Sequence, residues 1–109
     1  MARVHRIPSL TTLALVSSVP VRVRAFHLGN ASINFAAVQF FNTAATANVN
    51  LGVTVPDAEY GVQQGQNLPV FFFEKPLEFS QGLVMLAGNT WGSGINIGAG
   101  LEVVLALES

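Results

Sequence analysis

Apolar and polar residues alternate along most of the chain after Pro20. The clearest case is Val-Arg-Val-Arg at residues 21–24, which predicts a half-buried strand running to about Leu28. Successive side chains of a strand point to opposite faces, so a period of two places one face in a core and the other in solvent. The 3.6-residue period of an amphipathic helix is not needed anywhere. Residues 11–19 are too rich in Thr, Ser and Val to form a good helix.

Further strand-like segments follow, each bounded by Gly, Asn or Pro. They are residues 34–41, 49–55, 70–73, 83–87 and 101–107, with a turn expected at 61–65. Short strands with such punctuation are typical of antiparallel sandwiches and barrels. We therefore predict an all-β protein, an antiparallel β-sandwich of jelly-roll or immunoglobulin-like type. Residues 21–109 are predicted to form the sandwich, and residues 1–20 an extended N-terminal arm.

Charge is scarce in this sequence. Among 109 residues there are five basic and six acidic side chains, and there is no cysteine. A typical soluble domain of this length carries about 27 charged residues. Mean hydropathy is +0.49, which argues against a disordered tail, and a net charge of −1 argues against a nucleic-acid partner. The longest charge-free stretch, residues 25–56, is interrupted by asparagines and glycines, so no membrane span is expected. The charge deficit predicts a surface that other protein covers.

The basic residues cluster at the N-terminal end. Arg3, Arg6, Arg22 and Arg24 all precede residue 25. The rest of the chain contains one basic residue, Lys75, and six acidic residues. Charge asymmetry of this kind often marks a segment with an interaction role. We expect these four arginines to pair with carboxylates of a partner.

The inventory of reactive groups is small. The two histidines, His5 and His27, stand on separate segments, and no cysteine is present as a nucleophile or soft ligand. The glycine-rich residues 88–100 lack the Lys-Ser/Thr ending of a phosphate-binding loop. The sequence therefore predicts a protein that is not an enzyme and that has no metal site and no cofactor.

Two aromatic features indicate contact surfaces. Phe71, Phe72 and Phe73 place rings on both faces of one strand, as expected for an inner sandwich strand or an oligomer interface. Trp91 lies in the glycine-rich segment, where an exposed indole can anchor a partner. Ordinary core packing is the alternative for both features.

The order of several short motifs adds a family resemblance. The motifs are VRVRAFHLGNAS (21–32), VQFFNTAA (38–45), GVTVP (52–56), FSQGLVMLA (79–87) and LEVVLAL (101–107). In this order they resemble the small β-rich virion proteins of tailed bacteriophages, over residues 22–107. The resemblance implies a β-sandwich on the outer surface of the capsid, of the head decoration or cement type. Its implied partners are the major capsid protein and its own copies, as a trimer or dimer, with no nucleic acid and no membrane.

A cement protein gains its binding energy from the surface area that it buries against the capsid, and protein interfaces are depleted of charged residues at their centres. In this interpretation the sandwich self-associates, and the arm lies along the capsid lattice. The alternative is a tail, neck or host-attachment module that binds a receptor or glycan through its loops, with Trp91 stacking on a sugar.

Overall fold

The computed structural model describes residues 2–10, 13–30, 35–50, 53–63, 65–88 and 101–108. Eight strands account for most of these residues. They are β1 (Ala2–Leu10), β2 (Ala14–Ser17), β3 (Val21–Asn30), β4 (Ala36–Phe41), β5 (Ala58–Val62), β6 (Asn67–Phe79), β7 (Leu83–Gly88) and β8 (Leu101–Glu108). One short 3-10 helix, Thr46–Asn48, lies between β4 and β5.

The strands form two four-stranded sheets. Sheet A has the order β1-β8-β3-β6, and sheet B has the order β2-β7-β4-β5. Every pairing is antiparallel. The sheets pack face to face around one core, which confirms the predicted all-β sandwich.

Strand β8 shows how the sequence pattern produces this packing. Leu101, Val103, Leu105 and Leu107 are all fully buried, whereas the residues between them are half-exposed. Full burial of such a side chain contributes about 1.5–3 kcal/mol. The alternation therefore fixes the register of β8, because a slip of one residue would turn all four side chains to solvent.

An aromatic cluster fills one side of the core. Phe26 lies with its ring centroid 4.9 Å from that of Tyr60 and 5.5 Å from that of Phe73, both edge-on. Phe40 stacks against Phe26 and Phe79 at 6.1 Å. These rings come from β3, β4, β5 and β6, so the cluster joins strands of both sheets.

The N-terminal segment differs from the prediction of a separate arm. Strand β1 pairs with β8 as an edge of sheet A, and β2 pairs with β7 as an edge of sheet B. Leu10 and Val16 are buried in the core, and Ile7 packs against it. Burial of these side chains and pairing of the backbone hold the segment within the sandwich. The domain therefore includes residues 2–17, and the expected boundary at residue 20 is wrong.

The predicted strand at residues 49–55 is also wrong where the structure describes it. The backbone N–H groups of Val53 and Thr54 both donate to the carbonyl of Asn50, and the Thr54 hydroxyl accepts a hydrogen bond from the Asn50 N–H. This local turn uses the backbone groups that a strand would need. The strand begins later, at Ala58, and extends to Val62, inside the stretch predicted to turn.

Candidate functional site

The outer face of sheet A, the side turned away from sheet B, carries a small apolar centre. Val4 on β1, Ala25 on β3, and Val104 and Ala106 on β8 line a shallow depression of about 80 Å³. Val4 is 74% exposed at its edge. The centre is thus an apolar strip across three neighbouring strands.

Two ion pairs frame this apolar centre at opposite ends of β8. At one end, Arg6 Nη2 donates a 2.7 Å hydrogen bond to Glu102 Oε2. At the other end, the Nε and Nη2 atoms of Arg24 donate to the two carboxylate oxygens of Glu108 at 3.3 and 3.1 Å. His27 Nε2 lies 3.7 Å from Glu102 Oε1. Both acids are on β8, and the bases come from the strands on either side of it.

The arginines alter the acidity of both carboxyl groups. The hydrogen bond from Arg6, followed by its charge, lowers the pKa of Glu102. The hydrogen bond from Arg24 lowers the pKa of Glu108 in the same way. A carboxyl group with a lowered pKa in the folded state favours folding above its ordinary pKa, and this contribution is lost as the pH falls through the folded value. The two pairs therefore favour the fold at neutral pH and cease to do so in acid.

Arg6→Gln is expected to raise the pKa of Glu102 towards its ordinary range, because it removes both the charged hydrogen-bond donor and the positive charge. Carboxyl carbon chemical shifts followed by NMR over a pH titration measure this change. Arg3→Gln is the matched control, since Arg3 does not contribute to the lowered pKa of Glu102. An unchanged Glu102 pKa in Arg6→Gln would contradict the ion pair.

The structure places the four arginines predicted to contact a capsid on two sides of sheet A. Arg6, Arg22 and Arg24 lie on the outer face, where Arg22 is opposite Glu78 on β6 and Glu108 on β8. Arg3 is exposed and lies opposite Leu107, on the side of β1 turned towards sheet B. Their role in binding a capsid stays a prediction, but they act from strands and not from a free arm.

Arg3 shares its side of β1 with His5, which lies opposite the buried Leu105. Burial, followed by the charge of Arg3, lowers the pKa of His5. Both effects disfavour the imidazolium form.

Of the predicted aromatic contact residues, Phe73 packs against the chain's own core. Its ring contacts Phe26 and Tyr60, which corresponds to the alternative of ordinary core packing. The backbone of Phe71 and Phe72 lies in β6, at the register positions of Phe26 and Ala25. Trp91 is outside the described residues.

The sequence did not point to the apolar side chains that the structure exposes. The exposed large hydrophobic residues are Val4 (74%), Leu15 (48%), Val19 (59%), Val53 (75%) and Val55 (82%). Val53 and Val55 look like strand residues in the sequence. The sequence did contain an indication that they lie in a turn: Asn50 and Thr54 flank this segment, and their side chains favour turns.

Leu15 lies on the outer side of sheet B. Leu15 on β2 lies opposite Val84, which packs with Phe41 and Leu86 in a small cluster on that side. The connection between β4 and β5 contributes Val49 to this cluster, and it also carries the exposed Val53 and Val55. For brevity, the three exposed residues Leu15, on β2, and Val53 and Val55, on the connection between β4 and β5, are together called the sheet B patch.

Hydrogen bonds at both ends hold the connection that carries Val53 and Val55. Its start is held by Asn42, whose backbone N–H donates 2.7 Å to Asp57 Oδ2 and whose side chain bonds Ser80 and Gln81. Its end is held by the Asp57 N–H, which donates to the carbonyl of Phe40 at 2.8 Å. The backbone at Asn42 and Asp57 is thus fixed by hydrogen bonds, and ordering of this kind before binding lowers the entropy lost when a partner binds.

Within the part of the chain that the structure describes, no group of three or more His, Cys, Asp or Glu side chains is placed to hold a metal ion. The same residues include no helix of the length and apolar character needed to cross a bilayer. Comparison of the chain with protein families, with curated proteins and with solved structures finds no match.

Proposed function

We propose that this chain is a capsid decoration or cement protein of a tailed bacteriophage, which binds the outside of the head and bridges capsomers. The observation that carries the proposal is the exposure of large aliphatic side chains on a sandwich that has eleven charged residues in all. Exposed apolar residues that form a patch mark protein-contact surfaces. The resemblance of the motif order to small virion proteins supports the assignment to a phage head.

The sheet B patch is the capsid-binding surface in this proposal. It replaces the N-terminal arginines as the main contact because Arg6 and Arg24 already bind carboxylates of their own chain. Burial of Leu15, Val53 and Val55 against a capsid contributes on the order of 1.5–3 kcal/mol per side chain before the costs of association. Several copies joined in one oligomer multiply this modest affinity, because every contact after the first is intramolecular.

The double variant Val53→Asp/Val55→Asp is expected to lower binding to phage heads at least about ten-fold, because two buried contacts become two charges that must be desolvated. Co-sedimentation of the full chain with heads that lack it measures the affinity. Val19→Asp is the matched control: Val19 is also exposed but lies in the turn between β2 and β3, outside the sheet B patch. Undiminished binding by the double variant would show that the patch is not the capsid contact.

Cryo-electron microscopy of virions with and without the protein tests the assignment to the head. A decoration protein gives repeated density over the outer surface of the head, at many copies per particle. Density at the tail or neck, in a few copies, would instead favour a host-attachment module. Identical particles in the two samples would overturn a virion role altogether.

A further inference from the structure

In the part of the chain that the structure describes, the two sheets end in four edge strands: β1 and β6 in sheet A, and β2 and β5 in sheet B. An edge strand presents a row of backbone N–H and C=O groups to which a further strand can pair. Natural proteins block such pairing with proline, charged side chains, bulges or very short edge strands. The devices that each edge strand carries therefore indicate where a further strand can add.

Three of these edge strands carry blocking devices. β1 contains Pro8 and two exposed arginines, and its register with β8 shifts after Ile7. β6 contains two prolines and the exposed Lys75, and its register with β3 shifts at two points. β2 has four residues, and its register with β7 also shifts. Addition of a further strand is therefore disfavoured at all three.

The edge of β5 lacks these devices. β5 has five residues, the usual length of a strand, and all five pair with β4 without a shift in register. It contains no proline and no basic residue, and Glu59 is its one charged residue. The connection that leads into β5 carries Val53 and Val55, which are 75% and 82% exposed. The unblocked edge thus follows, in sequence, the two most exposed large apolar side chains of the described residues.

We propose that the edge of β5 pairs with the edge of β5 in a second copy of this chain, antiparallel and about a two-fold axis normal to sheet B. Sheet B then continues from one copy into the other. Strand addition of this kind takes its affinity from main-chain hydrogen bonds and its specificity from alternate side chains. The proposal does not depend on the proposed function, since it concerns β5 and the chain alone.

The residues of β5 select one register for this pairing. An axis normal to the sheet pairs residues that share a face, so the axis passes through one residue. With the axis at Tyr60, all five residues of β5 pair, and Glu59 lies opposite Gly61 of the second copy. With the axis at Glu59, two carboxylates would lie directly opposite each other, which destabilises a strand pair. With the axis at Gly61, only three residues of the strand remain paired.

Both faces of the strand fit the register with Tyr60 at the axis. Tyr60 lies on the core side, where its ring contacts those of Phe26 and Phe40. At the axis it lies opposite Tyr60 of the second copy, and directly opposed aromatic residues stabilise a strand pair. The Glu59 residues of the two copies lie on a diagonal, about 7–8 Å apart. This is about one Debye length at physiological salt, so their repulsion is much reduced.

The contact is small, because five residues of each copy pair. Interfaces at the low end of the size range are typical of weak, reversible association. Sedimentation velocity of the native chain over a range of concentrations is therefore expected to show a monomer that converts to a dimer as the concentration rises. This measurement needs no variant, so a failure to fold cannot affect it.

Cysteine cross-linking tests the surface and the register together, because the native chain contains no cysteine. Directly opposite residues of an antiparallel pair have Cα atoms about 4.5–5.5 Å apart, within the range of a disulfide. An equimolar mixture of Glu59→Cys and Gly61→Cys is therefore expected to form a disulfide-linked dimer under mild oxidation. Each variant alone places its two cysteines on the diagonal, about 7–8 Å apart, and is expected to cross-link at least about ten-fold more slowly.

Val19→Cys is the matched control for the cross-linking. Val19 is exposed but lies in the turn between β2 and β3, outside β5. This variant measures the rate at which random collision links two copies. Circular dichroism of each cysteine variant checks that the fold is kept.

Three results would overturn the proposal. They are a native chain that sediments as a monomer at every concentration, a mixture that cross-links no faster than Val19→Cys, and a single variant that cross-links as fast as the mixture. The third result would place the axis at residue 59 or 61 and not at Tyr60. Both measurements are made without phage heads, so the outcome for the dimer is separate from the outcome for the proposed function.

Discussion

Gly82→Ala is expected to lower the free energy of unfolding by about 3 kcal/mol or more. Gly82 has a φ angle of +154°, in a region that side-chain-bearing residues rarely adopt. A Cβ atom at this position would lie 2.5 Å from the Ser17 carbonyl oxygen and 2.7 Å from that of Thr43. Both neighbours are backbone atoms, so relief requires movement of the end of β2 or of the connection after β4. Equilibrium unfolding in urea measures the loss.

Gly65→Ala is the matched control for this prediction. Gly65 also has a positive φ angle, +66°, but a Cβ atom there would meet no atom within 4 Å. The cost is then the backbone strain alone, about 1–2 kcal/mol. Equal losses for the two variants would show that the close backbone approach at Gly82 does not matter. A larger loss at Gly82 would locate it in the packing between β2, the β4–β5 connection and the turn before β7.

Alternation predicted the central strands of the fold well. β3, β4, β7 and β8 coincide closely with the predicted segments, because each has buried residues on the inner face that repeat with a period of two or form a short apolar run. β8 is the plainest example, with four fully buried residues at alternate positions. Such a pattern of buried residues predicts a strand from its own sequence, without knowledge of the strands that pair with it.

Edge strands were harder to predict because their partners define them. β1 includes Arg3, His5 and Pro8, and it exposes or half-exposes every side chain described before Leu10. Nothing in this segment requires a strand until β8 is available for pairing. β6 is longer than predicted for a related reason: between the Val23–Leu77 and Ala25–Phe72 pairs its register shifts, and this irregularity interrupts the alternation.

The candidate site was predictable in composition but not in geometry. Glu102 and Glu108 are an even number of residues apart on a strand, so the sequence implies that they share a face. Their contacts with Arg6 and Arg24 span 96 and 84 residues and arise because β8 lies between β1 and β3. Strand order is a property of the whole sheet. The N-terminal arginines were therefore recognised as a group, whereas their position on sheet A was not.

Phe40→Ala is expected to lower the free energy of unfolding by about 3–5 kcal/mol. Phe40 is fully buried, and its ring lies 5.8–6.1 Å from those of Phe26, Tyr60 and Phe79. Removal of the ring loses the transfer free energy of its atoms and leaves a cavity among rings that belong to both sheets, so the neighbours have little freedom to collapse into it. Urea unfolding followed by far-ultraviolet circular dichroism measures the change.

Two further variants separate the causes of this loss. Phe40→Leu keeps much of the volume and is expected to cost less than about 1.5 kcal/mol, in the manner of volume-conserving core substitutions. Val19→Ala removes methyl groups from an exposed side chain and is expected to change stability by less than about 0.5 kcal/mol. If Phe40→Ala costs no more than Val19→Ala, the aromatic cluster does not hold the sheets together. A stability that rises in the order Ala, Leu, Phe at residue 40 would instead show that ring packing holds the two sheets together. The outer surface to which partner binding is assigned depends on that same packing.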